Sequence, residues 1–228
     1  MEIIPGIHEL RGRMVNCYLT VDGDELMLID TGLPGNSSNI TEYIENNLNR
    51  SPQDIETIVI THNHFDHVGS LSKIKRITGA KVAVHPDDAD YIRGKARHAG
   101  GAFMNSLIKL YQVIYRSGTV EPDILLKEGD IIGGYRVIHT PGHTEGSICL
   151  YNPDKRAIFV GDNLQLRDGK LHSPGKRLIP DPEKYVKSME KLLEYDIKVI
   201  LTGHTAPVTS DGVKLIREFL EDVKKELN

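Results

Sequence analysis

Residues 61–70 read THNHFDHVGS. His62, His64, Asp66 and His67 all bind metal ions readily, and they fall within six positions. Neutral imidazole and carboxylate suit zinc, iron and manganese. His62 and His64 are two apart and can converge on one ion. Asp66 and His67 are adjacent and can face a second point nearby. The plainer reading is a polar loop whose histidines cap backbone groups. Three histidines and an aspartate so closely spaced, directly after the apolar run IETIVIT, weigh against it.

Four ligands from one loop seldom close a site, and three later residues have the position to complete it. His143 lies in the glycine-rich HTPGHTEGS, Asp162 ends the apolar run of IFVGDN, and His204 ends that of ILTGH. A lone histidine at a strand end is normally an ordinary hydrogen-bonded residue. Three such residues beside the loop shift the joint reading to ligation. One tetrahedral ion needs three or four protein ligands, so these seven groups suffice for two. His62, His64 and His143 would hold one ion, Asp66, His67 and His204 the other, and Asp162 would bridge them. Paired ions about 3.5–4 Å apart can share a hydroxide and clamp both the attacking and leaving groups of a hydrolysis.

The elements that must position these residues can be read from the apolar pattern. VNCYLTV and ELMLID are strand-like runs separated by the turn-forming DGD, and IETIVIT reads as a buried strand. NSSNITEYIENNLNR has Ile40, Tyr43, Ile44 and Leu48 at helical spacing, with Asn and Ser able to cap its start. Residues 69–78 read as a helix and KVAVH as a strand. Strands return after Pro122 in ILLKEGDIIGGYRVIHT, GSICLYN, RAIFVGD and IKVILTGH, with helices at PEKYVKSMEKLLEYD and VKLIREFLEDVKKEL. The halves echo one another. ELMLIDTG and RAIFVGDN each run an apolar strand into an aspartate, and DIETIVITHNH and DIKVILTGH each run Asp-Ile and a strand into threonine and histidine. Two matches in one order predict a duplicated strand–helix unit, with Asp30, His62, Asp162 and His204 converging at one edge.

The bulk numbers are those of a soluble globular chain. The 228 residues suit a single domain. A net charge of -4 offers no basic field for nucleic acid. No apolar run approaches the roughly 20 residues of a membrane helix. The start MEIIPGIHEL lacks the basic and long apolar regions of a signal peptide, so the expected compartment is the cytoplasm. Cys17 and Cys149 sit in apolar strand-like segments without a CxxC neighbour, which predicts buried reduced thiols.

HNHFDH at 62–67, then His143, Asp162 and His204 in that order, with DTG at 30–32, resemble the metallo-β-lactamase superfamily over about residues 10–208. The resemblance implies an α/β fold, a four-layer αβ/βα sandwich with two mixed β-sheets and the metals at one edge. The commonest class of true β-lactamases lacks the histidine matching His67 and has cysteine where Asp162 stands, which disfavours antibiotic hydrolysis. Flavodiiron proteins have glutamate where His64 stands. The full set is similar to glyoxalase II-type thioesterases, lactonases and related hydrolases. It is also compatible with persulfide dioxygenases, which use one iron and a subset of these residues. Glyoxalase II enzymes carry a long C-terminal helical region, whereas 24 residues follow His204 here, which argues against a strict glutathione thioesterase. Nuclease branches add a large inserted domain that is not seen.

The expected chemistry is therefore hydrolysis of a thioester, lactone or related small ester by a metal-bound hydroxide on two divalent ions, zinc foremost, with iron or manganese as alternatives. Asp66 would orient the hydroxide while ligating. Asp30 would orient a ligating histidine or its loop, or simply cap the DTG turn. The alternatives are a mononuclear iron oxygenase acting on a persulfide and, more weakly, a metal-binding protein without turnover. The partner expected is a small-molecule substrate, with neither nucleic acid nor membrane, and the oligomeric state is left open. Residues 87–118, helical in pattern with Gly100-Gly101 as a break, read as an insert and a candidate lid over the active site. Arg93, Lys95, Arg97 and His98 there could attract an acidic substrate or form a solvated helix face. Phe103, Met104, Tyr111 and Tyr115 could line a pocket or pack in a core. His8, His85, His98, His139 and His172 carry no assigned role.

Overall fold

The computed structural model describes residues 1–12, 14–96, 106, 110 and 118–227, with side chains to 224. Two compact units divide the chain, Met1–Leu126 and Lys127–Asn228, and each is built on its own mixed sheet. The expected α/β architecture with two mixed sheets is what the chain has.

In the first unit seven strands lie side by side in chain order. They are β1 (Glu2–Ile4), β2 (Ile7–Arg11), β3 (Asn16–Asp22), β4 (Glu25–Ile29), β5 (Ile55–Val59), β6 (Lys81–Val84) and β7 (Ile124–Leu125). The strands from β1 to β4 pair antiparallel, and those from β4 to β7 pair parallel. The parallel pairs require crossovers, and helices supply them: α1 (Ser37–Leu48) between β4 and β5, then α2 (Phe65–Val68) and α3 (Leu71–Thr78) between β5 and β6. Ile40 and Ile44 of α1, one turn apart, and Leu71 and Ile74 of α3 are buried in one cluster with Leu19, Leu28, Ile58 and Val82 of the sheet. Burying each such side chain contributes about 1.5–3 kcal/mol.

Two local expectations need correction. Asn36 occupies the N-cap position of α1, but its side chain makes no capping bond. Its amide instead donates to the Thr31 carbonyl at 3.2 Å, bracing the 31–36 turn. The strand expected through His85 ends at Val84. His85 precedes a proline, stays extended, and turns to cap α4 (Pro86–Ile92), its Nδ1 accepting from the Asp87 amide at 3.3 Å.

Helix α4 covers the start of the insert. The break at Gly100-Gly101 and Arg97, His98, Phe103, Met104, Tyr111 and Tyr115 lie outside the described residues. Arg93, at the end of α4, pairs with Glu121 at 2.7 Å and Asp90 at 3.2 Å, so its charge is engaged locally. The Val120 amide donates to the Ile92 carbonyl at 3.0 Å, bringing the two flanks of the insert together.

The second unit holds β8 (Ile131–Ile132), β9 (Tyr135–His139), β10 (Ile148–Asn152), β11 (Ala157–Gly161), a hairpin of β12 (Gln165–Arg167) and β13 (Lys170–His172), and β14 (Val199–Thr202). Its main sheet runs β14-β11-β10-β9-β8. Helices α5 (Pro182–Lys191) and α6 (Gly212–Leu227) pack Tyr185, Met189, Ile216 and Phe219 against Ile138, Ile158 and Ile200. Asp181 caps α5 by accepting from the Lys184 amide at 2.9 Å, with Pro182 in the first turn. The sequence echo has a structural counterpart. The series β2, β3, β4, β5 pairs antiparallel, antiparallel, parallel, and β9, β10, β11, β14 repeats that succession. Among the described residues no helix is long and apolar enough to cross a membrane.

Candidate metal centre

Each unit carries its share of the expected ligands in the loops that follow its strands. In the first unit the chain leaves β4 at Asp30, which adopts φ 59°, a left-handed conformation that aspartate tolerates. That turn sends the buried Asp30 carboxylate into the loop after β5. Oδ1 accepts from the Thr61 amide at 2.8 Å, and Oδ2 accepts from the Thr61 hydroxyl at 2.8 Å and contacts His67 Nδ1 at 2.7 Å. The next two residues of DTG complete the clamp. The Thr31 amide and hydroxyl both donate to the His67 carbonyl, at 2.8 and 2.9 Å. Gly32 bridges to Val68 at φ 75°, where a Cβ would collide with the Asn36 amide. The Asp30 carboxylate is thus bonded directly to His67, a candidate ligand.

Within THNHFDHVGS the backbone is extended at His64 (φ -65°, ψ 144°) and then coils into the single turn α2. His62 and His64 stand together with ring centroids 4.7 Å apart. The α2 turn carries Asp66 and His67 back, and the His67 ring lies 4.1 Å from that of His62. Ligand atoms of His62 and His64 lie within 4.8 Å of each other, as do those of Asp66 and His67.

In the second unit His143 lies between β9 and β10. Gly142 adopts φ 134°, with no room for a side chain because Tyr185 Cα of α5 lies 2.5 Å from where a Cβ would stand. The Ser188 hydroxyl of α5 donates to the Pro141 carbonyl at 2.7 Å, fixing the same turn. Asp162 and His204 follow the paired ends of β11 and β14, which the Gly203 amide ties to the Gly161 carbonyl at 2.8 Å. Asp162 Oδ2 then sits 3.1 Å from His204 Nε2 and 3.6 Å from His143 Nε2. One carboxylate oxygen thus stands beside two imidazole nitrogens.

The hydrogen bonds also fix tautomers. The Thr61 hydroxyl spends its proton on Asp30, so at His62 Nδ1, 3.0 Å away, it accepts. His143 Nδ1 lies 2.9 Å from the Leu178 carbonyl, which can only accept. His67 Nδ1 faces a carboxylate. All three imidazoles therefore carry a proton on Nδ1, and in the neutral ring this leaves the lone pair on Nε2, the form that binds a metal ion with its ring held in place. With two carboxylates in the set, the donors fit borderline divalent ions such as zinc.

Sequence reasoning missed three of these supports: Thr61, the Leu178 carbonyl, and Asp88, which grips Asn63 inside the loop. A threonine and an asparagine interleaved with histidines are the only trace of them in THNHFDH. Cys17 and Cys149 are free and buried, and burial raises both thiols, Cys149 to about 11.

A model of the metallo-beta-lactamase superfamily matches residues 10–204. A protein from Bacillus subtilis described as a probable metallo-hydrolase, YflN, is 26% identical over 235 residues, covering 93% of this chain and 89% of its own. The acyl-coenzyme A thioesterase MBLAC2 of Bos taurus is 31% identical over 220 residues, covering 85% and 74%. Among solved structures, the metallo-beta-lactamase family protein TTHA1429 from Thermus thermophilus aligns with a TM-score of 0.73 at 22% identity, over 99% of this chain and 80% of its own. The class B3 di-zinc metallo-beta-lactamase LRA-12 from an Alaskan soil metagenome aligns with 0.70 at 20% identity, over 97% and 89%.

Proposed function

Because the chain belongs to the metallo-β-lactamase superfamily, we propose that it is a dinuclear metallohydrolase of glyoxalase II-like type that cleaves an acyl thioester, with lactones and related small esters as neighbouring substrates. The observation that carries this reading is Asp162, whose Oδ2 lies within 3.6 Å of both His143 Nε2 and His204 Nε2. A carboxylate oxygen shared by two histidines suits a bridge between two ions. We assign His62, His64 and His143 to one ion, Asp66, His67 and His204 to the other, and Asp162 to both. The thioester preference draws on a relative described as an acyl-coenzyme A thioesterase. Zinc is the ion proposed, from the donor set and from the related di-zinc structure.

Bound ions would supply positive charge and a water acidified toward neutrality for attack on an acyl carbonyl. The chain's own residues do the rest. Asp66 accepts and orients a proton of the attacking water. Asp30 and the Leu178 carbonyl keep His67 and His143 in the ligating tautomer, and Thr61 does the same for His62. The buried thiols fit a reducing compartment, which supports a cytoplasmic setting.

The test is a panel of acyl thioesters, lactones and phosphodiesters, assayed with zinc-loaded protein by thiol or acid release. Thioester turnover, two zinc ions per chain, and loss of both in His62→Ala and Asp162→Ala are expected. One iron per chain with oxygen uptake on a persulfide would replace this reading. Parent activity and metal content in His62→Ala would remove it.

A further inference from the structure

Asn63 stands between His62 and His64, two candidate ligands of the loop. Asp88, in the first turn of α4, takes hold of it there. Asp88 Oδ2 accepts from the Asn63 amide at 2.8 Å, and Oδ1 accepts from Asn63 Nδ2 at 2.7 Å. Both oxygens thus grip one residue, by its main chain and its side chain together. Asp88 is 0% exposed and Asn63 5%, so water does not compete for these bonds. An acid placed only to cap its own helix would accept from amides of that helix; these two bonds run to another segment, 25 residues away in sequence.

We propose that Asp88 is the positioning residue for His62 and His64. By holding Asn63 through its main chain and its side chain together, it restrains the backbone from which both imidazoles project and so holds their spacing. This rests on the metal-ligand reading of the loop given above. Asp30 and Thr61 fix the tautomer of His62 and the ring of His67. Asp88 adds a restraint on the residue between His62 and His64, and it comes from the helix that opens the insert.

The experiment compares the parent chain with Asp88→Ala, Asp88→Asn, the double variant Asn63→Asp/Asp88→Asn, and His62→Ala. Each is titrated with zinc against a chelator, loaded with cobalt(II) for its visible spectrum, and melted without metal. Asp88→Ala is expected to weaken zinc binding by about 10–100-fold, the usual effect of losing a residue behind a ligand, and to change the cobalt bands. Asp88→Asn keeps the size of the side chain and loses one of the two bonds, so it is expected to fall between. The double variant restores a donor opposite an acceptor and is expected to regain most of the zinc affinity. Parent zinc affinity and parent cobalt bands in Asp88→Ala, or in Asp88→Asn where the alanine variant does not fold, overturn the proposal whatever the melting temperature. Failure of the double variant to improve on Asp88→Asn also overturns it. If His62→Ala too binds zinc like the parent, the metal reading itself fails, and the two failures are thereby told apart.

Discussion

Replacing Asp30 by asparagine separates its electrostatic role from its structural one. Asparagine matches the volume of aspartate and tolerates the φ of 59° found there. Its carbonyl oxygen can still accept from the Thr61 amide. Its NH2 group, however, takes the place of Oδ2 and faces the Thr61 hydroxyl and His67 Nδ1, which lie 2.8 and 2.7 Å from that oxygen. Both now meet a donor. The system relaxes if His67 moves its proton to Nε2 and the Thr61 hydroxyl turns to accept from the new amide. That hydroxyl then donates its own proton to His62 Nδ1, 3.0 Å away, so His62 changes tautomer as well. The hydrogen bonds around residue 30 are made again, and exchanging charged for neutral ones there costs the fold about 1–2 kcal/mol. For a chain of this length that lowers Tm by about 2–8 °C. The metal suffers more, because two ligands present N–H where a lone pair is needed. A loss of 10–100-fold in zinc affinity, about 1.4–2.8 kcal/mol, is the usual scale for a supporting carboxylate. Zinc competition titration measures the affinity, and nitrogen NMR of the metal-free protein reads the imidazole tautomers directly. An Asp30→Asn protein that binds zinc as tightly as the parent, with His62 and His67 still protonated at Nδ1, would refute the relay from Asp30 through Thr61.

Gly142→Ala places a methyl group 2.5 Å from Tyr185 Cα at a φ of 134°, so a loss of about 2–4 kcal/mol is expected, read as a reduced urea midpoint with unchanged slope. Zinc at a hundredfold excess over its dissociation constant should stabilise the chain by about 2.7 kcal/mol for each ion bound. Chelation should therefore lower the calorimetric Tm by about 5–11 °C for each ion removed, and an unchanged Tm would count against bound metal. Cys17 and Cys149 should resist a thiol reagent until the chain is unfolded, since both are buried and free. Their raised pKa values also set a sign: above the ordinary thiol pKa of 9.0 the unfolded chain releases protons that the folded chain retains, with Cys149 holding its own to about 11. Stability should fall as pH rises through that window, and alkaline urea titrations of a Cys149→Ser variant should show a shallower fall.

The candidate ligands stood out in the sequence because their chemistry is local. Three histidines and an aspartate in six positions announce themselves, and the later strand ends repeat the pattern. The supports were not legible, because they depend on which backbone and side-chain atoms the fold brings alongside. Nothing in RLIPD marks the Leu178 carbonyl as the partner of His143, and Asp88 is one of three acids in PDDAD that look alike in sequence. Asn36 shows the same limit in reverse: a good capping residue by type, it is claimed by the Thr31 carbonyl. The hairpin of β12 and β13 was missed because each arm has three residues, too few for a periodic signal. The short α2 turn was hidden for the same reason, inside a stretch read as loop.

The flanks of the insert meet at the Ile92–Val120 hydrogen bond and the Arg93–Glu121 ion pair. That neck closes on itself, with Glu121 and Ile92 held whatever chain lies between them. Asp88 binds the same helix to the loop of His62 and His64. A lineage built this way can lengthen, shorten or exchange the stretch beyond the neck without re-registering a single strand. The base of that stretch is thus tied both to itself and to the loop of His62 and His64, so a change of length beyond the neck need not be felt at the loop.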